Sequence, residues 1–480
     1  MFTSLGNLLN LPFIILFLLL CFKSPRAGII AIFAVVLGLP ISFLYFGFAL
    51  SSGERYIPNI FIISLFYTAY YFTKAVRERS LDLFDIALIA YLLTGLLITV
   101  LVEGDAFNPG PWIKQFAIYP LFFFLGKVFL SKRKEMSKSY AAFRWLLLAI
   151  GPYMAIFMLL EFFAKINVHA TLLSSFANLV GSQVIDDPIQ RMNQHLLANF
   201  YRILGPQVEP TETALVAVIA IVAYLSWTVG PSSLTKTVRN VVLVLLAVAV
   251  LLSASRTALV MVIPILAASQ ILRGKLKSWQ VAVYLIAATF FFVYIVIDPG
   301  GFIDAGLRAF YESSFYSSRL MDDMSVSGRL ETWQQALRLI KDDFLFGLGL
   351  GTPVYLAGVS RYDAYTVHNS FLDLLLFQGV LVTSFLFTLW GILIAKSVVT
   401  LRTLRGKLAG DLAFTLLLLA FVYVILGMFT PDKPQMMYLF WFYGGMLMAA
   451  IRVPDSAMGT VPMRHRLVPL KAFGQYPVSQ

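Results

Sequence analysis

Three side chains with chemical potential stand beside long apolar runs of the sequence. His368 directly precedes the run "NSFLDLLLF", Arg256 lies in the short turn "SASR" between two runs, and Arg202 comes shortly before another. A neutral imidazole, with an ordinary pKa of about 6.5, can accept a proton from a hydroxyl group. Two arginine side chains can clamp a pyrophosphate through paired, charge-assisted hydrogen bonds. Together the three residues predict a site for a pyrophosphate donor and a hydroxyl acceptor.

Each of these residues also has a purely structural interpretation. An arginine at the end of a membrane helix usually extends its head group to the lipid surface, and a single boundary histidine is more often packed and hydrogen-bonded than catalytic. The adjacent acids Asp186-Asp187 and Asp322-Asp323 could bind a divalent ion in principle, but we interpret them as solvated loop residues. What favours a site is the combination of two arginines and a histidine on one side of a membrane.

The elements that must position these residues are membrane helices. The chain has 480 residues, of which 59% are hydrophobic and 13% charged, whereas a soluble domain carries about 25% charged residues. Apolar runs of about 20 residues, the length that crosses a bilayer, recur from end to end. The sequence therefore predicts an all-α polytopic integral membrane protein with about 12–13 transmembrane helices. The predicted spans are 5–22, 28–50, 57–73, 83–102, 112–130, 143–163, 211–229, 238–254, 257–272, 280–297, 369–396, 411–430 and 434–451.

Lysine and arginine concentrate in alternate connections between the predicted spans, which assigns the two sides of the membrane. "KSPR", "KAVRERS", "TKTVR" and "RGKLKS" all fall on one side, together with the tail that follows residue 451. Because positively charged loops stay in the cytoplasm, this side and the C-terminus are predicted to be cytoplasmic. The three candidate residues fall on the other side. The formal net charge of +12 is therefore a feature of membrane topology and does not indicate a nucleic-acid partner.

Two external connections are unusually long, and long loops are usually functional or disordered. They are the stretches 164–210 and 298–368. The predicted organisation is transmembrane helices at 1–163, an external loop at 164–210, central helices at 211–297, a long external loop at 298–368, C-terminal helices at 369–451 and a cytoplasmic tail at 452–480.

The second long loop is predicted to contain a helix at 327–343, with Ser327 as its cap. Its apolar stripe would consist of Leu330, Trp333, Leu337 and Ile340. The stretch "FGLGLGT" follows it. This stretch lacks the Lys-Ser/Thr of a phosphate-binding P-loop, so we interpret its glycines as turn residues. The loop is thus predicted to be an ordered element that can lie on the membrane surface.

Several short motifs occur in an order that resembles the bacterial O-antigen ligase and O-antigen polymerase superfamily. The pattern of Arg, Gly and Pro before a span is similar to Arg202, Gly205 and Pro210, and an "SR" hairpin is similar to "SASR". The long external loop resembles that family in "SGRLETW", "FGLGLG" and "HNSFLDLLLFQG". The likeness is strongest over about 200–390. The sequence departs from the pattern at Thr211, where the family often has Asn after the Pro.

The resemblance implies a GT-C-like fold and a metal-independent inverting glycosyltransferase without a cofactor. The donor would be a glycan on undecaprenyl pyrophosphate, at the periplasmic face of the bacterial inner membrane. In this interpretation His368 is the catalytic base, and Arg202 and Arg256 bind the donor pyrophosphate. Supporting roles would fall to Arg329, Arg361, Asn369, Glu209, Glu212 and Asp432. No residue is expected to bind a metal.

Three functions remain open from the sequence. A polymerase would extend one lipid-linked glycan with another, and the high helix count favours it. A ligase would move the glycan to lipid A core or to a protein. A transporter or flippase is more distant, because the chain has no internal repeat and its polar residues gather at one face. The implied partners are membrane lipid, the lipid-linked oligosaccharide, a glycan or lipid A core acceptor and, for a polymerase, a chain-length regulator.

Overall fold

The structure of the protein is a computed structural model. It describes residues 15, 18, 19, 23–38, 47–49, 56–104, 107, 109–132, 135–164, 210–226, 233–252, 256–274, 324–350, 367, 369–404, 407–428 and 434–452. In chain order the elements are α1 Pro25–Gly38, β1 Gly47–Ala49, β2 Tyr56–Pro58, α2 Asn59–Arg77, α3 Leu83–Glu103, α4 Pro109–Trp112, α5 Ile118–Phe129, α6 Met136–Ala164, α7 Pro210–Ser226, α8 Ser233–Leu252, α9 Arg256–Leu272, α10 Met324–Asp342, α11 Ser370–Thr403, α12 Leu408–Gly427 and α13 Pro434–Ala450. A π-helical turn at Ile113–Ala117 joins α4 to α5.

The predicted class of an all-α, multi-pass membrane protein is confirmed. Within the described ranges, four helical segments are long and apolar enough to cross a membrane. They are Leu83–Glu103, Met136–Glu161, Ser370–Thr403 and Leu408–Gly427.

One predicted span is wrong. The sequence predicts a helix over 28–50, but α1 ends at Gly38 and residues 47–49 form a short antiparallel ribbon with 56–58. Pro40 follows the helix end by two positions, and a proline there cannot continue a helix because it lacks the backbone N–H and restricts the residue before it. The apolar run is thus long enough for a membrane span but contains a helix terminator.

The centre of the bundle is the packing of α5 against α13. Every residue of α5 is buried, as expected for a helix that is apolar on all sides. The two backbones touch: a Cβ added at Gly126 would overlap the carbonyl of Phe442, and one at Gly445 would overlap the carbonyl of Phe123. Small residues allow such close approach between membrane helices.

Ionic contacts join several connections at one end of the bundle, which we call the basic end. Arg26 pairs with Glu135, so the start of α1 meets the α5–α6 connection. Lys127, near the end of α5, pairs with Asp82 at an N–O distance of 2.8 Å. Arg452, just beyond α13, pairs with the same aspartate. The connections that the sequence groups by their positive charge therefore lie together.

The opposite end of the bundle is reached by α3 and α12. Helix α3 starts at the basic end, with Asp82 as its N-cap, and finishes at Glu103. There a Cβ on Gly349 would lie 2.8 Å from the Glu103 Cγ atom. Helix α12 finishes at Gly427, where an added Cβ would lie 3.2 Å from the Phe371 ring. The long loop and the start of α11 thus meet the ends of these two helices.

Helix α9 places its first residue at this same opposite end. It packs along α12, and Arg273, which follows it, lies over the Phe414 ring near the start of α12 at 5.5 Å. The two helices are therefore antiparallel. Arg256 begins α9 at the end of the bundle where α12 finishes.

Candidate active site

The helix of the long loop lies where the sequence predicts one, with a different start and a different buried face. It begins at Met324, so Ser327 lies inside it, and the predicted cap is wrong. Over 332–342, the part of the helix whose burial is described, the buried positions are Thr332, Ala336 and Ile340.

Because residues four apart follow one side of a helix, this face is rotated away from Leu337. That side chain is 54% exposed. The prediction of a single apolar stripe that includes Leu337 is therefore wrong, although Trp333 and Ile340 do pack towards the protein.

Two side chains hold the chain just before α11. The indole Nε1 of Trp333 donates a hydrogen bond to the Val367 carbonyl at 3.0 Å. The Val367 N–H donates to Oδ1 of Asp373 at 2.9 Å. Val367 is fully buried, where an unpaired backbone group would cost about 1–3 kcal/mol. Both of its backbone polar groups are paired, one with α10 and one with the first turn of α11.

Asn369 caps α11. Its side-chain oxygen accepts hydrogen bonds from the N–H groups of Phe371 and Leu372 at 3.0 and 3.1 Å. The Asn369 carbonyl also accepts from the Asp373 N–H at 2.9 Å. The first N–H groups of a helix have no partner within it, so an asparagine at this position satisfies donors that would otherwise be unpaired.

The chemical candidates are described to different extents. His368 lies outside the described residues, between the anchored Val367 and Asn369. The remaining candidates outside the described residues are Arg202, Glu209, Arg361 and Asp432.

Two candidate arginines are described by their backbones alone. Arg256 starts α9, and Arg329 lies in α10 one turn before Trp333. Together with Asn369, both belong to the end of the bundle opposite the basic end. Glu212 is buried in the first turn of α7.

Helix α11 is broken at Gly379, which has φ 65° and ψ 175°. The break frees backbone groups, and the loop after α10 pairs with them. The N–H groups of Leu348 and Gly349 donate to the carbonyls of Leu376 and Phe377 at 2.8 and 3.1 Å. In return, the N–H groups of the two residues after Gly379 donate to loop carbonyls.

Those two return bonds run from Val380 to the Phe344 carbonyl at 2.9 Å and from Leu381 to the Leu345 carbonyl at 3.4 Å. At the depth of a membrane, non-helical backbone is tolerated only where its polar groups are paired within the protein. The loop therefore pairs with backbone groups that the break in α11 leaves without helical partners. The sequence predicts one continuous helix over 369–396, and this prediction is wrong at Gly379.

Gly347 and Gly349 of "FGLGLG" are turn residues, as the sequence predicts, and Gly351 lies outside the described residues. Gly347 and Gly349 have φ angles of 71° and 84°, which residues with a Cβ rarely adopt. A Cβ on Gly347 would lie 2.5 Å from the Gly379 nitrogen. These positions serve the packing of the loop against α11.

A surface cavity of about 120 Å³ lies at the basic end and is not part of the candidate site. Tyr71, Lys74, Lys127 and Arg452 contribute to its lining. Burial opposes ionisation of the adjacent Asp82, but Lys127, the Asp85 backbone N–H and Arg452 together outweigh burial and hold the pKa of that carboxyl below its ordinary value. Arg256, Arg329 and Asn369 lie at the other end of the bundle, so the cavity is separate from these three candidates.

A comparison with protein families matches a segment of the chain. Residues 241–387 fit the model of a family described as O-antigen ligase. We call this matched segment the O-antigen ligase domain. This O-antigen ligase domain covers less than a third of the chain and runs from α8 into α11. It supports a glycosyltransferase-like function in glycan assembly of the O-antigen ligase and polymerase type.

The O-antigen ligase domain includes only some of the candidates. Arg256, Arg329, Arg361, His368 and Asn369 lie within it. The candidates outside it are Arg202, Glu209, Glu212 and Asp432. No curated protein sequence matches the chain.

Sequence reasoning misses two residues that organise this region. It assigns Trp333 only to an apolar stripe, although an indole N–H generally needs a partner when it is buried. It gives Asp373 no role. An acid in the first turn of a capped helix is, however, well placed to accept hydrogen bonds from nearby N–H groups.

Proposed function

We propose that this protein transfers a glycan from undecaprenyl pyrophosphate to a sugar hydroxyl. His368 would take the hydroxyl proton, and Arg202 and Arg256 would hold the pyrophosphate as it leaves. The transfer would be inverting and would need no metal. Arg329, Arg361, Glu209, Glu212 and Asp432 are proposed to support these three, with Asn369 holding the helix start beside the base.

The observation that carries the proposal is the anchoring of the chain around position 368. The O-antigen ligase domain contains this position, and Trp333, Asp373 and the Asn369 cap fix the backbone on both sides of it. A general base must be held within hydrogen-bond reach of the proton that it accepts. A segment that served only as a connection would not need three separate anchors.

Both arginines fit the donor by their charge, and Arg256 also fits it by its position. A departing pyrophosphate develops negative charge, and hydrogen-bond donors fixed in a water-excluded site stabilise that charge. Removal of one such donor by mutation typically costs about 3–4 kcal/mol of transition-state stabilisation. Arg256 begins a helix at the same end of the bundle as Asn369, and the partial positive charge of a helix N-terminus also favours a phosphate group. This position supports Arg256 as a ligand of the pyrophosphate.

The site is proposed to face the periplasm. Arg26, Lys127, Arg273 and Arg452 gather at the other end of the bundle, and positively charged connections stay in the cytoplasm. The candidate end would then open to the outer leaflet of the inner membrane, with the C-terminus in the cytoplasm. A lipid-linked donor presented in that leaflet would reach it without crossing the protein.

A polymerase remains the favoured form of the proposal, and a ligase is the second candidate. Both use the same donor chemistry, and the family match supports both forms alike. The test is transfer from an undecaprenyl-pyrophosphate-linked oligosaccharide by the purified full chain, with and without EDTA, and with products resolved by size. A ladder without any added acceptor indicates a polymerase. Products only after addition of lipid A core or a protein acceptor indicate a ligase.

Loss of turnover in EDTA would refute the metal-free mechanism, and no turnover in any condition would favour a transporter.

A further inference from the structure

Three consecutive large apolar side chains project from the turn that follows α10. Phe344, Leu345 and Phe346 are 52%, 55% and 50% exposed. Their neighbours on both sides are paired or buried: the Gly347 N–H donates to the Asp343 carbonyl at 2.9 Å, and Gly347 itself is buried. The turn is therefore closed by its backbone while its apolar side chains point outwards.

The position of this turn along α11 gives its depth. Its carbonyls accept from Val380 and Leu381, at the start of the part of α11 that follows the break. Between Gly379 and Lys396, the first charged residue after it, this part has only uncharged residues, 380–395. They span about 24 Å at about 1.5 Å per residue, which is less than the ~30 Å thickness of the hydrocarbon core. Val380 therefore lies at or inside the hydrocarbon boundary, and so does the turn bonded to it.

The turn is chemically suited to that depth. The Phe344 and Leu345 carbonyls are paired with α11, so the turn can enter lipid without leaving these acceptors unsatisfied. Leu381 is also exposed, which makes the apolar surface continuous with the side of a membrane-spanning helix. Arg338 and Lys341, in the last turns of α10, are exposed and can reach lipid phosphates from just above the boundary.

We propose that Phe344, Leu345 and Phe346 form a lipid anchor, inserted among the acyl chains of the leaflet at the candidate end of the bundle. The anchor fixes the C-terminal end of α10 at the membrane surface. Trp333 lies on the same helix, so the anchor also sets the height of the segment around Val367. This inference does not depend on the chemistry proposed for His368.

The test measures the depth of nitroxide labels attached to single cysteines in the full chain. Cys21 is the only cysteine in the sequence, so Cys21→Ser provides a label-free background. Leu345→Cys and Phe346→Cys report on the anchor, and Asp342→Cys, an exposed position in the last turn of α10, is the matched control. Each labelled protein is reconstituted in phospholipid vesicles. Collision rates of each label with oxygen, which concentrates in lipid, and with a water-soluble nickel complex are then recorded.

The anchor predicts that labels at 345 and 346 collide several-fold more with oxygen than with the nickel complex, and that the label at 342 shows the reverse preference. Nickel accessibility at 345 equal to that at 342 would place the turn in water and overturn the proposal. Shielding from both reagents would also overturn it, because it would mean that protein covers the turn. Size-exclusion profiles identify any misfolded variant, and the two anchor positions provide independent readings.

Discussion

At the scale of single residues, the account depends on a short segment held by hydrogen bonds. Val367 is bound from one side by Trp333 and from the other by Asp373, and Asn369 caps the helix that follows. None of these three needs to touch a substrate. Their proposed role is to fix the backbone that carries His368, since a displacement of about 1 Å can slow an enzyme about 100-fold.

Replacement of Asp373 tests this positioning role. We expect Asp373→Ala, which removes the acceptor for the Val367 N–H, to lower kcat about 100-fold with a smaller change in KM. Asp373→Asn keeps an acceptor oxygen and should recover much of the rate. Asp342→Ala, an exposed acid on α10, is the control. Equal kcat values for wild type and Asp373→Ala in the transfer assay would contradict the role.

A conservative change at Arg256 tests pyrophosphate binding. Lysine keeps the charge of arginine but cannot reproduce its two-pronged hydrogen bonding. We therefore expect Arg256→Lys to reduce kcat/KM by about 100-fold or more, the scale of losing one charge-stabilising donor. Arg402→Lys, at an exposed position in the last turn of α11, should leave it unchanged. Wild-type kinetics for Arg256→Lys would favour the interpretation of a lipid-facing arginine.

At the scale of elements, the main feature is the break in α11, where the loop after α10 pairs with the freed backbone groups. Backbone groups around Gly379 pair with Phe344, Leu345, Leu348 and Gly349. The apolar run at 369–396 contains two glycines, Gly379 and Gly391, and carries no other sign of this break. A glycine within a helical pattern is usually tolerated, and the groups that pair with the break lie about 30 positions earlier in the sequence. Hydropathy therefore predicts the span but not its interruption.

Two glycine substitutions in α11 should have opposite effects on stability. At Gly379 the backbone has φ 65°, and an added Cβ would overlap the Leu345 carbonyl, so we expect Gly379→Ala to destabilise the protein by about 1–3 kcal/mol. At Gly391 an added Cβ meets nothing within 4 Å. There alanine should be neutral or stabilising by up to about 1 kcal/mol, because it favours the helix. Thermal unfolding in detergent compares the two, and equal melting temperatures would argue against the completed break.

At the scale of the whole molecule, the bundle has two chemically different ends. At the basic end, Lys127 pairs with Asp82 and Asp85. Arg452 also pairs with Asp82. The candidate end contains the starts of α9 and α11 and the loop after α10. This separation could be predicted from the sequence because hydropathy and loop charge are local properties. The crossing of α5 and α13 at Gly126 and Gly445 could not, since each glycine is meaningful only beside a helix about 300 residues away.

Removal of Lys127 tests how far the ion cluster supports the bundle. Lys127 is 3% exposed, and Lys127→Met would leave two aspartates without their buried cation. We expect a loss of about 3–5 kcal/mol, the typical result of breaking a buried pair from one side. Lys74→Met, which removes a more exposed pair with Glu78 at 3.8 Å, should change stability by about 0.5 kcal/mol or less. Unfolding by heat in detergent measures both, and similar melting temperatures for the two variants would be inconsistent with a structural cluster.

The most direct test of the proposed function is the initial rate of glycan transfer by purified wild type, His368→Ala and His465→Ala. His465 lies in the tail that is predicted to be cytoplasmic, so it controls for the loss of a histidine as such. The account predicts that His368→Ala lowers kcat by about 100- to 10,000-fold, the range for a general base, while His465→Ala keeps the wild-type rate and all three proteins elute as single species. A wild-type rate for His368→Ala would contradict the account, because the anchored segment would then carry no base.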